Sequence, residues 1–320
     1  MTILLHEETV EKLLSLEETI PAVEDIFRLF GNSEAVNQPR QKCPLRGGEL
    51  RAMPASAPGY GFGIKVYTLG NKGLRFAVLL YDEKNGDLEA VIEGSHLGKL
   101  RTAAVAAIAT KYLARSDAAC LGLFGTGGQA EHQLRAVLLV RPIELVLVFS
   151  PNKEHRETFA SRMTQALGIQ VKSADSPAMV VKEADVITSV TKAKTPLFDG
   201  DLLRTGTHIN AIGSALPEAR EIDGKTVKRT DCIFIDDLKQ GQMENGDLIA
   251  AVAEDLIAWT DVIELGSLVA GKAKGRKDSR QITLFESQGI ALQDLAAARL
   301  AYRKAIEKGV GETLPQSILG

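Results

Sequence analysis

The chain has 320 residues, 45% of them hydrophobic, and a formal net charge of −3 with acidic and basic residues interspersed, too long for one small core and predicting two domains. No basic stripe points to nucleic acid, no polybasic tail points to a membrane surface, and Arg141, Pro142 and Glu144 break the longest apolar run before it could span a bilayer. Cys43, Cys120 and Cys232 are far apart and odd in number, which argues against a disulfide framework or zinc site and fits a reducing cytoplasm, and MTILLHEETVEKLL lacks the basic start of a signal peptide.

The spacing of Ile20, Val23, Phe27 and Phe30 predicts a helix over Leu16–Phe30. Asn37–Pro44 is polar and proline-broken, a loop or the entry to a strand. GELRAMPA, YGFGIKVYTL and RFAVLLYD read as strands, KNGD as an Asn-Gly turn and LEAVIE as a further strand, together an antiparallel or mixed sheet. Gly59, Gly61 and Gly63 suggest a close-packed pocket wall. LGKLRTAAVAAIATKYLA is an alanine-rich helix. Beyond it, apolar strands over Cys120–Phe124, Glu144–Phe149, Gln170–Lys172, Asp185–Val190, His208–Ile212 and Cys232–Asp236 alternate with helices such as ETFASRMTQALG and SPAMVVKEA. Apolar strands alternating with helices predict a parallel sheet covered on both faces. GKAKGRKDSRQ is a basic loop, and ITLFES is a strand before a long terminal helix.

The fold class is therefore α/β. A Rossmann domain over residues 116–289 is expected beside a mixed α/β domain over 1–115, which the C-terminal segment from about residue 290 rejoins. Gly125-x-Gly127-x-x-Ala130 follows an apolar strand and opens a helix, as a dinucleotide fingerprint requires. Gly125 permits the tight turn, Gly127 lets the backbone approach a pyrophosphate, and Ala130 lets the helix pack on the strand. The next strand ends at Ser150, followed by Asn152, Lys153, His155 and Arg156. No carboxylate stands there to repel a 2′-phosphate, and cations follow, so NADP(H) is favoured over NAD(H).

Other candidate groups are cations: Arg40, Arg46, Arg51, Lys65, Lys99 and Arg101. Lys65 lies in a strand pattern whose alternate positions Phe62, Ile64 and Val66 are apolar, so it projects from the other face, where its pKa can be shifted for acid–base work. Arg101 opens the alanine-rich helix, where a cation could hold a carboxylate. His208 begins an apolar strand and reads as a satisfied structural histidine. Asp236-Asp237 reads as a solvated strand terminus or helix cap rather than a magnesium pair. Ser189, Thr191 and Ser214 have no associated His-Asp set, and no metal site is expected.

These residues, in this order, resemble the ornithine cyclodeaminase/μ-crystallin family. The likeness runs through PRQKCP, ELRAMPA, GIKVYT, GKLRTAAVAAIATKYLA, GTGGQAEHQ, ADVITSVT, INAIGSALPEAREID and GRKDSRQITLFESQGIALQD, almost the whole chain. It implies a homodimer in which the mixed domain binds the substrate and makes the dimer contact. It implies that Arg40 and Arg101 clamp a substrate carboxylate and that Lys65 lies beside the reacting carbon or nitrogen. It implies that Thr102, Thr126, Gly127, Gly128, Gln129, Ser150, Val190, Thr191 and Ser287 contact the cofactor, with Gly125, Asn152 and Lys153 added from the fingerprint and strand end. Cyclodeaminases carry an Asp where this chain has Ala215. Alanine cannot hold the side-chain amine of ornithine or lysine, so the imine reductase and amino acid dehydrogenase branch is expected, acting on a small imino or keto acid. The alternatives are a cyclodeaminase using catalytic NAD and a non-enzymic protein that retains NADP.

Overall fold

The computed structural model describes residues 2–70, 73–213 and 215–315. The chain divides into two compact units, Met1–Val105 with Gly289–Gly320, and Ala106–Gln288. The first unit holds β1 (Ile3–Leu5), α1 (Glu7–Leu13), α2 (Leu16–Gly31), β2 (Val36–Asn37), β3 (Gln41–Leu45), β4 (Gly48–Ala57), β5 (Gly61–Gly70), β6 (Gly73–Tyr81) and β7 (Leu88–Glu93). The division falls inside α3 (Ser95–Leu113), ahead of the boundary near residue 115 that the sequence suggests.

The second unit is a parallel sheet. Its strands are β8 (Cys120–Phe124), β9 (Leu145–Phe149), β10 (Gln170–Ser173), β11 (Val186–Ser189), β12 (His208–Ala211), β13 (Cys232–Ile235), β14 (Val262–Glu264) and β15 (Thr283–Glu286). Its helices are α4 (Ala130–Leu138), α5 (Lys153–Leu167), α6 (Pro177–Glu183), α7 (Gly224–Arg229), α8 (Leu238–Glu244), α9 (Gly246–Ala253) and α10 (Leu265–Val269). The strand order is β10-β9-β8-β11-β12-β15-β13-β14, every pair parallel. Alternate residues feed two cores: Leu121, Leu123, Val146 and Val148 pack with Leu134 and Met163, while Phe124, Leu147, Ile187 and Ile209 pack with Val180 and Val227. This is the doubly wound Rossmann arrangement, whose order reverses between β8 and β11. His208 is fully buried between Thr283 Oγ1 and Asn210 Oδ1, each 3.0 Å away, and burial pushes its pKa down to about 3.

The chain then returns to the first unit with α11 (Ala291–Lys308) and β16 (Glu312–Thr313). There the sheet order is β16-β1-β7-β6-β5-β4-β2, with β3 paired to β4. β1 runs parallel to β7; β4, β5, β6 and β7 form antiparallel neighbours. The segment at Gln41–Leu45, left open by the sequence, is a strand. Helix α11 packs on β4, β5 and β6. Along β5 the buried face is Gly61, Gly63, Lys65 and Tyr67, whereas Phe62 remains 48% exposed. The apolar residues thus face outward and the lysine inward. Gly63 is closely packed on its inner side, where a Cβ would lie 2.9 Å from Leu295 Cδ1 of α11, and on its outer side it lines a groove with Phe62 and Ile64. Gly63→Val should force α11 off the sheet and destabilise the first unit by about 1–3 kcal/mol, read as a fall in its thermal or denaturant midpoint; an unchanged midpoint would show that α11 can shift freely.

Candidate active site

In the first unit three buried cations gather around the entry to α11, two on Asp294 of the helix and one on the Gly289 carbonyl just before it. Lys65 comes from β5, Arg101 from α3, and Arg40 from the segment before β3. They are 5%, 8% and 6% exposed. Asp294, in the first turn of α11 and 1% exposed, accepts a hydrogen bond from Lys65 Nζ at 3.0 Å through Oδ1. Arg101 Nε lies 3.0 Å from the same oxygen. Arg101 Nη1 donates to Gln293 Oε1 at 2.6 Å, and Arg40 Nη2 donates to the Gly289 carbonyl at 3.3 Å. Arg40 Nε lies 3.4 Å from Met53 Sδ, and Met53 is the cross-strand neighbour of Lys65.

Burial lowers the Lys65 pKa to about 8, helped by Arg101 and Arg40 and opposed by Asp294. The ammonium also lies 5.1 Å from the Phe76 ring centroid. The cluster thus holds a lysine whose proton is near exchange at neutral to mildly alkaline pH. Asp294 and Gln293 are not distinguishable in the sequence from ordinary polar residues at a helix start.

In the second unit the expected cofactor residues collect at the carboxyl ends of the parallel strands. Gly125 follows β8 with φ +105°, a conformation that favours glycine, and a Cβ there would lie 2.8 Å from the Val190 carbonyl. Val190 and Thr191 follow β11, so the glycine turn and this loop are in contact. Cβ atoms at Gly127 or Gly128 would meet nothing within 4 Å, which leaves backbone open for a ligand at the start of α4. These residues fit a dinucleotide pyrophosphate. Thr126 Oγ1 donates to Ser150 Oγ at 3.3 Å, joining the turn to the end of β9. The buried Gln129 Oε1 has no hydrogen-bond partner among the described residues. Ser287, after β15, donates to Asp236 Oδ2 at 2.8 Å. Thr102 stands beside Arg101 on α3, and its hydroxyl donates to Gly98 O at 2.7 Å.

The end of β9 differs in part from the sequence expectation. Arg156 is turned inward: its Nη1 donates to Ser150 O and its Nε to Ser173 Oγ, both at 3.1 Å. It braces the strand end and is not an open cation. Lys153 is exposed, and Asn152 caps α5 by accepting from His155 N at 3.0 Å. Asp237 is a helix cap, accepting from Gln240 N, but Asp236 and Asp237 are buried and not solvated. Ala215 donates its N–H to Gly213 O at 3.1 Å; Ser214 lies outside the described residues. No helix among the described residues is long and apolar enough to cross a membrane.

A Rossmann unit with a glycine turn at its switch point, in a chain whose other unit buries a lysine–arginine–aspartate cluster, defines a dinucleotide-binding protein of the α/β class. The family model for the ornithine cyclodeaminase/mu-crystallin family matches residues 1–309, and the chain belongs to that family. It is 33% identical to a Delta(1)-pyrroline-2-carboxylate reductase of Bacillus cereus, over 95% of this chain and 96% of that protein. It is 34% identical to the alanine dehydrogenase of Archaeoglobus fulgidus, over 98% of each. The structure of Thermococcus litoralis Delta(1)-pyrroline-2-carboxylate reductase in complex with NADH and L-proline superposes with a TM-score of 0.93 at 36% identity, covering 98% of this chain and 100% of that one.

Replacing Asp294 by Asn removes the charge shared by Lys65 and Arg101 and leaves two buried cations in repulsion. The variant should lose about 3 kcal/mol of stability, measured by denaturant unfolding at pH 7. Wild-type stability would mean that the ion pairs contribute nothing there.

Proposed function

We propose that this protein is a nicotinamide-dependent oxidoreductase that reduces the C=N bond of a small 2-imino acid or cyclic ketimine to an L-amino acid, and in reverse oxidises that amino acid. The observation that carries the reading is the buried cluster at the start of α11: Lys65 and Arg101 share the carboxylate of Asp294, and Arg40 adds a third buried positive charge that acts on Lys65. Buried charge of that kind calls for a counter-ion, and a substrate carboxylate supplies one. Arg40 and Arg101 orient that carboxylate through paired N–H donors. Lys65, held by Asp294, delivers a proton to the imine nitrogen. A bound reduced nicotinamide supplies the hydride.

The second unit holds the cofactor through Gly125, Thr126, Gly127, Gly128, Gln129, Ser150, Asn152, Lys153, Val190, Thr191 and Ser287. The preference is for NADP(H): the end of β9 carries Ser150 and no carboxylate, and Lys153 is exposed at the start of α5. The protein acts as a homodimer in the cytoplasm. The outward face of the first unit's sheet supports the dimer, with a groove of about 410 Å³ lined by Val36, Pro54, Phe62, Ile64 and Tyr81. Its free cysteines fit a reducing compartment.

The reductase reading is favoured over cyclodeamination because Ala215 offers no carboxylate for a side-chain amine. A screen of NADPH and NADH oxidation separates the possibilities, using pyrroline- and piperideine-2-carboxylate and 2-keto acids with ammonia. Turnover on at least one imine, with the lower KM for NADPH, is expected. Ammonia release from ornithine without net cofactor oxidation would mean a cyclodeaminase, and silence with retained cofactor a binding protein. A lower KM for NADH would overturn the cofactor preference alone. Lys65→Met should lower kcat by about 10²–10⁴-fold and leave cofactor affinity unchanged.

The pH dependence follows from the proton that Lys65 carries. Its folded pKa of about 8 lies below the ordinary 10.5, so the charged donor is lost as pH rises through about 8. Reductive kcat/KM should therefore fall above that pH, while the oxidative rate rises. In Asp294→Asn the falling limb should move to lower pH, since Asp294 favours the charged form. A limb that stays in place would dissociate it from Lys65.

A further inference from the structure

The loop at Val190–Thr191 and the turn after β12 are both fastened to one buried group that the sequence does not single out. Glu221 is fully buried. Its Oε1 accepts from Thr191 N at 2.6 Å. Its Oε2 accepts from Ser189 Oγ and from Gly213 N, each at 2.8 Å. One carboxylate therefore ties the end of β11 to the end of β12. The packing leaves no slack: a Cβ on Gly213 would strike both the Thr191 carbonyl and the Glu221 carboxylate.

Glu221 is itself fixed from behind. Its backbone carbonyl accepts from Leu197 N at 2.9 Å. Its N–H and that of Ile222 donate to Asp247 Oδ1 at 2.9 and 3.1 Å, and Asp247 is fully buried on α9. Burial pushes the Glu221 carboxyl above the usual range, and its donors pull it back. A charge this expensive to bury is retained where its hydrogen bonds set a geometry.

We propose that Glu221 is a positioning residue, which holds the β11 and β12 loops in the arrangement that receives the nicotinamide half of the dinucleotide. The inference rests on the oxidoreductase reading above. In the doubly wound order the turn after β8 takes the pyrophosphate and the end of β9 takes the adenosine ribose. β11 and β12 lie on the other side of β8 from β9, so their loops serve the opposite half of the ligand. The two carboxylate oxygens each face a backbone N–H donor. An amide in their place can accept from one and must present its NH₂ to the other, so Glu221→Gln releases one loop at nearly constant volume.

The test uses the full-length protein and two probes. One is the whole cofactor, NADPH or NADH, whichever the wild type binds more tightly. The other is its adenosine portion alone, adenosine 2′,5′-bisphosphate or AMP. Glu221→Gln should weaken the whole cofactor by roughly 10–100-fold, as loss of a bond to a buried charge predicts, and change the adenosine probe by less than about twofold. Its kcat should fall with it, while KM for the imine moves little. Equal weakening of both probes marks a merely structural residue and overturns the proposal, as does unchanged affinity for both. If Glu221→Gln does not fold, Ser189→Ala removes one donor from the same carboxylate. It should give the same split at about 3–10-fold, and equal or absent effects there overturn the proposal. A wild type that binds neither cofactor would overturn the oxidoreductase reading and this inference with it; a wild type that binds normally beside an unaffected variant overturns this inference alone.

Discussion

A single carboxylate oxygen, Asp294 Oδ1, lies 3.0 Å from both Lys65 Nζ and Arg101 Nε in a nearly dry setting. Three elements must converge to satisfy it: β5, α3 and the returning helix α11. The convergence explains why the first unit needs its C-terminal segment. Without α11 the inward face of β4, β5 and β6 would expose a lysine and a row of small residues with nothing to cover them. With α11 in place, glycines on β5 allow close approach and Asp294 meets the lysine. The same contact sets the lysine's hold on its proton, since burial and neighbouring cations push the Lys65 proton toward release while Asp294 retains it.

The second unit solves a different problem, the close placement of loops at one edge of a parallel sheet. Its glycine turn gives an open backbone at Gly127 and Gly128. Buried acids beneath the edge then fix the loops: Asp236 holds Ser287, and Glu221 holds Thr191 and Gly213. Neutral side chains could fill the same volume, but none accepts several backbone and hydroxyl donors at once. At the other end of the ligand edge, Arg156 does the bracing from the cationic side by seizing the Ser150 carbonyl.

The Rossmann unit is legible in the sequence because its signals are local. Strand β8 coincides with the expected Cys120–Phe124, and β9, β11, β12 and β13 differ from expectation by a residue or two at their ends. The glycine turn carries its own conformational requirement. Lys65 is legible as the odd residue on an alternating strand, although the side it takes is buried and the apolar side is outward. Asp294 is not, because its partner Lys65 lies 229 residues away and an acid at a helix start also suits the helix dipole. Glu221 escapes a sequence reading, and Asp236 reads as solvated although it is buried, for a related reason. Acids next to strands and turns are ordinarily solvated, and only the packed structure reveals that these are not. Arg156 reads as an available cation because sequence cannot tell which way a helix-start arginine turns.

The central claim is that the α11 cluster presents an imino acid for hydride addition. It is tested most directly by following the hydride itself. Wild-type protein is incubated with piperideine- or pyrroline-2-carboxylate and NADPH or NADH deuterated at C4 of the nicotinamide, each C4 position in turn. The account predicts an L-amino acid carrying one deuterium on its α-carbon from one of the two labelled forms, with equal oxidation of the cofactor. Cofactor oxidised without label at the α-carbon, or no product from any imine with cofactor bound, would contradict it.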